Sequence, residues 1–153
     1  MSYTSGVDRF AVVGGISPAV QSANTYNTDV VDMRLFNAAL VVVSTGAYGA
    51  SGATLNVALY SNTANSTSGG TAITGKTFTN TAFSTSANGA NSEGLIYVTA
   101  EEVATAVSGG RYLYGVATVG VNTVALDVNI IGVDPRYGPA SDNDIASVKE
   151  IIN

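Results

Sequence analysis

The chain carries no histidine and no cysteine, so its chemically active groups reduce to 6 Lys and Arg, 11 Asp and Glu, and 8 Tyr. Imidazole and thiol are the side chains that most readily exchange a proton or attack carbon near neutral pH. Without them a Ser-His-Asp triad and thiol catalysis are excluded, and a transition-metal site loses its usual ligands. A Ser-Lys dyad would have to use Lys76 or Lys149. A carboxylate pair of the glycosidase kind would have to come from residues such as Glu93, Glu101 and Glu102. Glu101 and Glu102 have a simpler role at the positive end of the helix they open. Asp142-Asn143-Asp144 offers oxygen ligands of the kind calcium takes, but the Gly and terminal Glu of an EF-hand loop are missing, and helix capping is the expected role.

Two glycine patterns invite a nucleotide reading. Gly70-Thr71-Ala72-Ile73-Thr74-Gly75-Lys76-Thr77 matches the spacing of a phosphate loop. That loop works only between a strand and a helix, where backbone amides converge on phosphate. Here a polar loop precedes Gly70, and Phe78-Thr79-Asn80-Thr81 does not open a helix. Gly46, Gly49 and Gly52 are followed by an alternating strand pattern, which excludes a dinucleotide fingerprint. Both are read as turns, Lys76 as a solvated side chain, and the chain as a non-enzyme with no cofactor and no metal.

The elements that would position any site are strands. Leu55, Val57 and Leu59 share one face of an alternating run. Val124, Leu126, Val128 and Ile130 share one face of another, with Asp127 and Asn129 opposite. Residues 111–119 form a third such run, and the turn at 120–122 predicts that the last two pair as an antiparallel hairpin. Residues 38–43 are apolar without a break, the pattern of a central strand covered on both faces. Shorter strands are expected at 10–13, 20–24, 30–33, 71–74 and 95–99, with polar loops at 44–52, 62–70 and 80–94. Thr99 and Glu102 have capping-box spacing ahead of a short helix that stops at Gly109-Gly110. Asp144 is expected to cap a second helix at 145–152, with Ile145, Val148, Ile151 and Ile152 on one stripe.

These elements predict an all-β protein: an antiparallel β-sandwich, jelly-roll-like, with one or two short helices. An immunoglobulin-like sandwich is the second choice, weakened by the lack of Trp and Cys. The organisation expected is an N-terminal arm at 1–10, a sandwich domain at 11–134, and a C-terminal tail with a short helix at 135–153. No apolar run approaches the roughly 20 residues of a membrane helix. The first ten residues lack the basic and apolar regions of a secretory signal.

Only 11% of residues are charged, against about 25% in an ordinary soluble domain. The net charge is −5 and the basic residues are scattered singly, so neither nucleic acid nor membrane is an expected partner. A surface of short Ser, Thr, Asn, Ala and Gly side chains loses little entropy when another protein covers it. Tyr112 and Tyr114, beside Arg111 on one strand, have the composition of an interface core, though a tyrosine pair within the sandwich explains them equally. Arg136 and Tyr137 lie between Pro135 and Pro139, which restrict the backbone and favour either a contact arm or a strap over the chain's own domain. Arg9 and Phe10 are the matching contact candidates at the other end.

Three segments carry a resemblance: residues 128–140 with their Asp134-Pro135-Arg136-Tyr137-Gly138-Pro139 ending, residues 27–36 leading into the apolar strand, and Leu55-Asn56-Val57-Ala58-Leu59-Tyr60-Ser61. Together they resemble the small head-decoration, or cement, proteins of tailed bacteriophages. The resemblance implies a jelly roll or related sandwich, made in the host cytoplasm, that sits as a homotrimer on the outer surface of the capsid. There it would bind the major capsid protein and clamp neighbouring capsomers against packaged DNA. The helix-like stretch after Pro-Arg-Tyr departs from that pattern. The alternative from a different class is a receptor- or carbohydrate-binding module of a tail or virion. Such modules use exposed aromatic platforms, and the chain has no Trp and four Phe but eight Tyr.

Overall fold

A computed structural model describes residues 8–78, 85 and 89–152. The candidate arm at 1–10 therefore lies outside the described residues except for its last three.

Among the described residues nine strands form two antiparallel sheets. In chain order they are β1 (Phe10–Gln21), β2 (Asn24–Asn27), β3 (Val31–Asp32), β4 (Phe36–Tyr48), β5 (Thr54–Asn62), β6 (Thr71–Thr77), β7 (Glu93–Thr99), β8 (Tyr112–Gly120) and β9 (Val124–Pro135). One sheet runs β1-β9-β4-β7 and the other β2-β8-β5-β6, with β3 also on β8. Since β2 and β3 both pair with β8, they act as one interrupted strand. Eight strands then remain, in the order of a jelly roll, so the expected fold class is the observed one.

The alternating runs place the core as expected. Leu55, Val57 and Leu59 from β5 face Val124, Leu126, Val128 and Ile130 from β9, and all are buried. The two predicted strands at 10–13 and 20–24 join in the single edge strand β1, whose register slips after Val12 and again around Ser17 and Pro18. A proline is tolerated there because an edge strand has one side without ladder bonds.

Three expectations are corrected. First, β8 and β9 do not form a hairpin but lie in opposite sheets. Each already has a neighbour on both sides, β2 and β5 for β8, β1 and β4 for β9. The turn between them therefore crosses from sheet to sheet, with Val121 in the left-handed region at φ 69°. Second, residues 145–152 are not helical. The chain makes one 3-10 turn (Ala140–Asn143) and then lies along β1. Asp144 does not cap a helix; its Oδ1 accepts from the Val12 amide at 2.7 Å, while the Ile145 amide donates to the Val12 carbonyl at 2.8 Å. An isolated helix this short is marginal, and the open edge of β1 supplies backbone partners that outweigh it. Third, among the described residues only one face of β4 is fully covered, and Leu40 and Val42 on the other are half-buried.

The predicted helix α1 (Ala100–Ala106) has its capping box complete. The Glu102 amide donates to Thr99 Oγ1, and the Thr99 amide donates to Glu102 Oε2 at 2.9 Å. Val103 anchors the helix in the core.

Candidate interaction surface

Strand parity sorts the residues of the β1-β9-β4-β7 sheet into two faces. Ala39, Val41 and Val43 of β4 point into the core with no exposure. Leu40 and Val42 point out and are half-buried. The register sets outward residues in rows across the four strands: Phe10, Val133, Ala38, Thr99; then Val12, Ile131, Leu40, Tyr97; then Gly15, Asn129, Val42, Leu95. No charged side chain interrupts these rows. The exposed members are Leu95 at 62%, Tyr97 at 53% and Phe10 at 47%. A fourth row, Asp127, Ser44 and Glu93, bounds the patch with carboxylates. Burial pushes the Asp127 carboxyl up, partly offset by the Asn129 amide that donates to it at 2.6 Å.

The outward face of the other sheet has a polar row at one end and a tyrosine cluster, Tyr60, Tyr112 and Tyr114, at the other, where Tyr114 is buried. Thr25, Thr118 and Asn56 lie in register across β2, β8 and β5, and all three are exposed. The first face, with Leu95, Tyr97 and Phe10 exposed in apolar rows, is the candidate interaction surface, since a contiguous exposed apolar patch marks a contact site. The tail covers only one end of it: Val148 and Ile151 flank a cleft of about 260 Å³ over Phe10, Val12 and Ile131.

The six contact candidates divide between two places. Arg9 precedes and Phe10 opens β1 beside the end of β9, where Arg9 Nη2 pairs with Asp134 Oδ1 at 2.9 Å and its guanidinium lies over the Phe10 ring. Arg136 follows two residues on, its amide donating to the Leu35 carbonyl at 2.8 Å, and Tyr137 is 72% exposed. Those four share one end of the sandwich. Tyr112 and Tyr114 are on the opposite sheet. Tyr114 is buried, its ring stacked on Tyr60 at 5.5 Å with Gly70 against its hydroxyl, so it holds down the 63–70 loop and offers no free surface. Tyr112 lies under the Arg111 guanidinium at 4.7 Å. Leu40, Val42, Leu95, Tyr97, Ile131 and Val133 were not singled out from sequence. Their signal was the unbroken apolar run at 38–43 together with the adjacent pair Ile130-Ile131, both two-sided patterns.

The remaining charged clusters are structural. Lys76 is not solvated: its Nζ bonds Glu102 Oε1 at 2.8 Å and the Tyr97 carbonyl at 2.7 Å, tying β6 to α1 and β7. Its neighbour Gly75 sits at φ 76° within a strand, so no phosphate cradle forms. No group of three or more acidic residues capable of holding a metal occurs among the described residues.

Arg111 grips Asp32 with two bonds, Nε to Oδ1 at 2.8 Å and Nη2 to Oδ2. The bond from Arg111 holds the Asp32 carboxyl below the usual carboxylate range, against an opposing push from burial. A carboxylate depressed in the folded state stabilises the protein above its unfolded pKa of about 3.9 and loses that contribution as pH falls through the lower folded value. Wild type is therefore expected to lose more thermal stability than Asp32→Asn between about pH 5 and pH 2. Parallel melting-temperature curves for the two would show that the pair contributes nothing.

Comparison with protein-family models, curated proteins and solved structures finds no match for this chain.

Proposed function

We propose that the chain is a structural virion protein, a cement protein that docks on the outer surface of a phage capsid as a homotrimer, contacts the major capsid protein and bridges neighbouring capsomers. The supporting observation is β4, a central strand that is apolar on both sides and of which the described residues fully cover only one. Leu40 and Val42 stand at the centre of three rows without a charged residue, a face that another protein surface can complete. The low overall charge and the resemblance of three segments to cement proteins support the same reading.

The mechanism is linkage. A protein that binds assembled shell better than free capsomers shifts the equilibrium toward the shell by mass action, without catalysis. A rigid jelly roll suits this role because it presents its face already formed and loses little entropy on docking.

The test is to heat or osmotically shock filled heads with and without the protein. Heads carrying it are expected to retain DNA to a higher temperature. Identical release curves would sink the reading.

A further inference from the structure

Among the described residues Arg136 is the arginine without a carboxylate. Arg9, Arg34, Lys76 and Arg111 each pair with one, and Lys149 Nζ donates to the Ala146 carbonyl at 2.8 Å. Arg136 engages only its Nε, on the Phe36 carbonyl at 3.3 Å, so both terminal nitrogens of the guanidinium are open. Residues 1–7, 79–84, 86–88 and 153, outside the description, include no Lys, Arg, Asp or Glu, so this pairing covers every charged side chain. Arg136 and Tyr137 are both exposed, and Pro135 and Pro139 restrict the backbone that carries them, so the segment loses little entropy when bound.

The complementary surface is a cleft of about 520 Å³ at the second slip in β1, between β9 and the strap at 145–147. Asp29 and Asp127 line it, with Ile16, Pro18 and Ile145 as apolar walls, and no Lys or Arg lines it. Asp29 Oδ2 accepts from the Gly15 amide at 3.2 Å, and Asp127 Oδ2 from the Asn129 amide at 2.6 Å. Each carboxylate therefore keeps Oδ1 without a partner among the described residues. Burial already pushes the Asp127 carboxyl up, the cost to an acid that loses water with no cation beside it.

We infer that the Arg136-Tyr137 arm of one copy docks in this cleft on a second copy, the guanidinium on Asp29 and Asp127 and the ring on the apolar wall. A copy cannot fill its own cleft. From Asn129 to Arg136 the extended β9 covers roughly 23 Å at about 3.3 Å per residue, beyond the reach of one side chain. A second copy is favoured over a foreign partner because both halves of the contact, an open guanidinium and a cleft lined only by carboxylate charge, stand on this one chain. Arm and cleft are different surfaces, so the contact runs head to tail, and head-to-tail contacts that close make rings. Closure at three subunits rests on the cement reading; the pairing of arm and cleft does not.

Sedimentation of the free protein reads the contact. Arg136→Glu and Asp127→Arg are each expected to weaken self-association at least about 30-fold, the usual minimum for breaking a desolvated charge pair at an interface, with the melting temperature within a few degrees of wild type. An equimolar mixture joins the intact arm of Asp127→Arg to the intact cleft of Arg136→Glu. It is expected to form one-to-one complexes that neither variant forms alone. A wild type that stays monomeric, variants that associate like wild type, or a mixture whose components stay apart overturns the inference. Loss of shell docking by Asp127→Arg with self-association intact also overturns it, since the cleft would then belong to the shell. The two readings fail separately. Association through arm and cleft with unchanged DNA release removes the cement reading and keeps this contact, and DNA retention by a monomeric protein does the reverse.

Discussion

Phe36→Ala is expected to lower the melting temperature by about 10–15 °C, which follows from a cost of about 3–5 kcal/mol for a fully buried phenylalanine at about 2–4 °C per kcal/mol in a chain of this size. Phe36 is 1% exposed and opens β4 where the first sheet closes over the core. Its ring occupies space that Gly132 of β9 leaves empty. A Cβ built on Gly132 would lie 2.6–2.7 Å from three ring atoms of Phe36. Real Cβ atoms do not come so near, so Gly132→Ala must displace the ring, at about 1–3 kcal/mol. The two positions are therefore coupled. Gly132→Ala combined with Phe36→Leu is expected to be more stable than the sum of the single changes allows, by at least about 0.5 kcal/mol in denaturant unfolding. Strict additivity would mean that the ring moves aside freely and that the glycine is not reserved for it.

The features legible in the sequence are those whose cause is local. Leu55, Val57 and Leu59 announce their face by alternation alone, as do Val124 to Ile130 in steps of two. Thr99 and Glu102 announce the helix start because both partners of the capping box lie within one turn. What failed to show depends on partners far along the chain. The turn at 120–122 is a real turn, but whether it closes a hairpin depends on which edges of β8 and β9 are free, and β2, β5, β1 and β4 decide that. The stripe of Ile145, Val148 and Ile151 suits a helix until the edge of Val12, 132 residues away from Asp144, offers hydrogen bonds. The two-sided apolar run at 38–43 does mark a central strand, β4, with β9 and β7 as its neighbours. The cover on its outer side was not legible, since alternation reports which side chains avoid water and not what covers them.

That uncovered side carries the larger functional prediction. Tyr97→Glu is expected to weaken docking on capsid shells about 100-fold, while the melting temperature stays within a few degrees of wild type. Tyr97 is 53% exposed, so the folded monomer gives up little packing when it changes. Docked, the ring would sit beside Leu40 at the β7 end of the middle row, away from water. An aromatic side chain desolvated on docking is a usual carrier of binding energy, and its loss costs about 2–4 kcal/mol, or roughly 30- to 1,000-fold. Glutamate adds the penalty of a buried charge without a partner. Val20→Glu makes the same charge change at a more exposed site outside the three apolar rows, and is expected to leave docking unaltered. Co-sedimentation with purified shells reads both variants. Equal loss at the two positions would point to net charge as the cause, since one added carboxylate raises the repulsion of a chain already at −5 wherever it is placed. Loss at 97 alone would assign docking to the face whose centre is Leu40, on the strand that the described residues leave half covered.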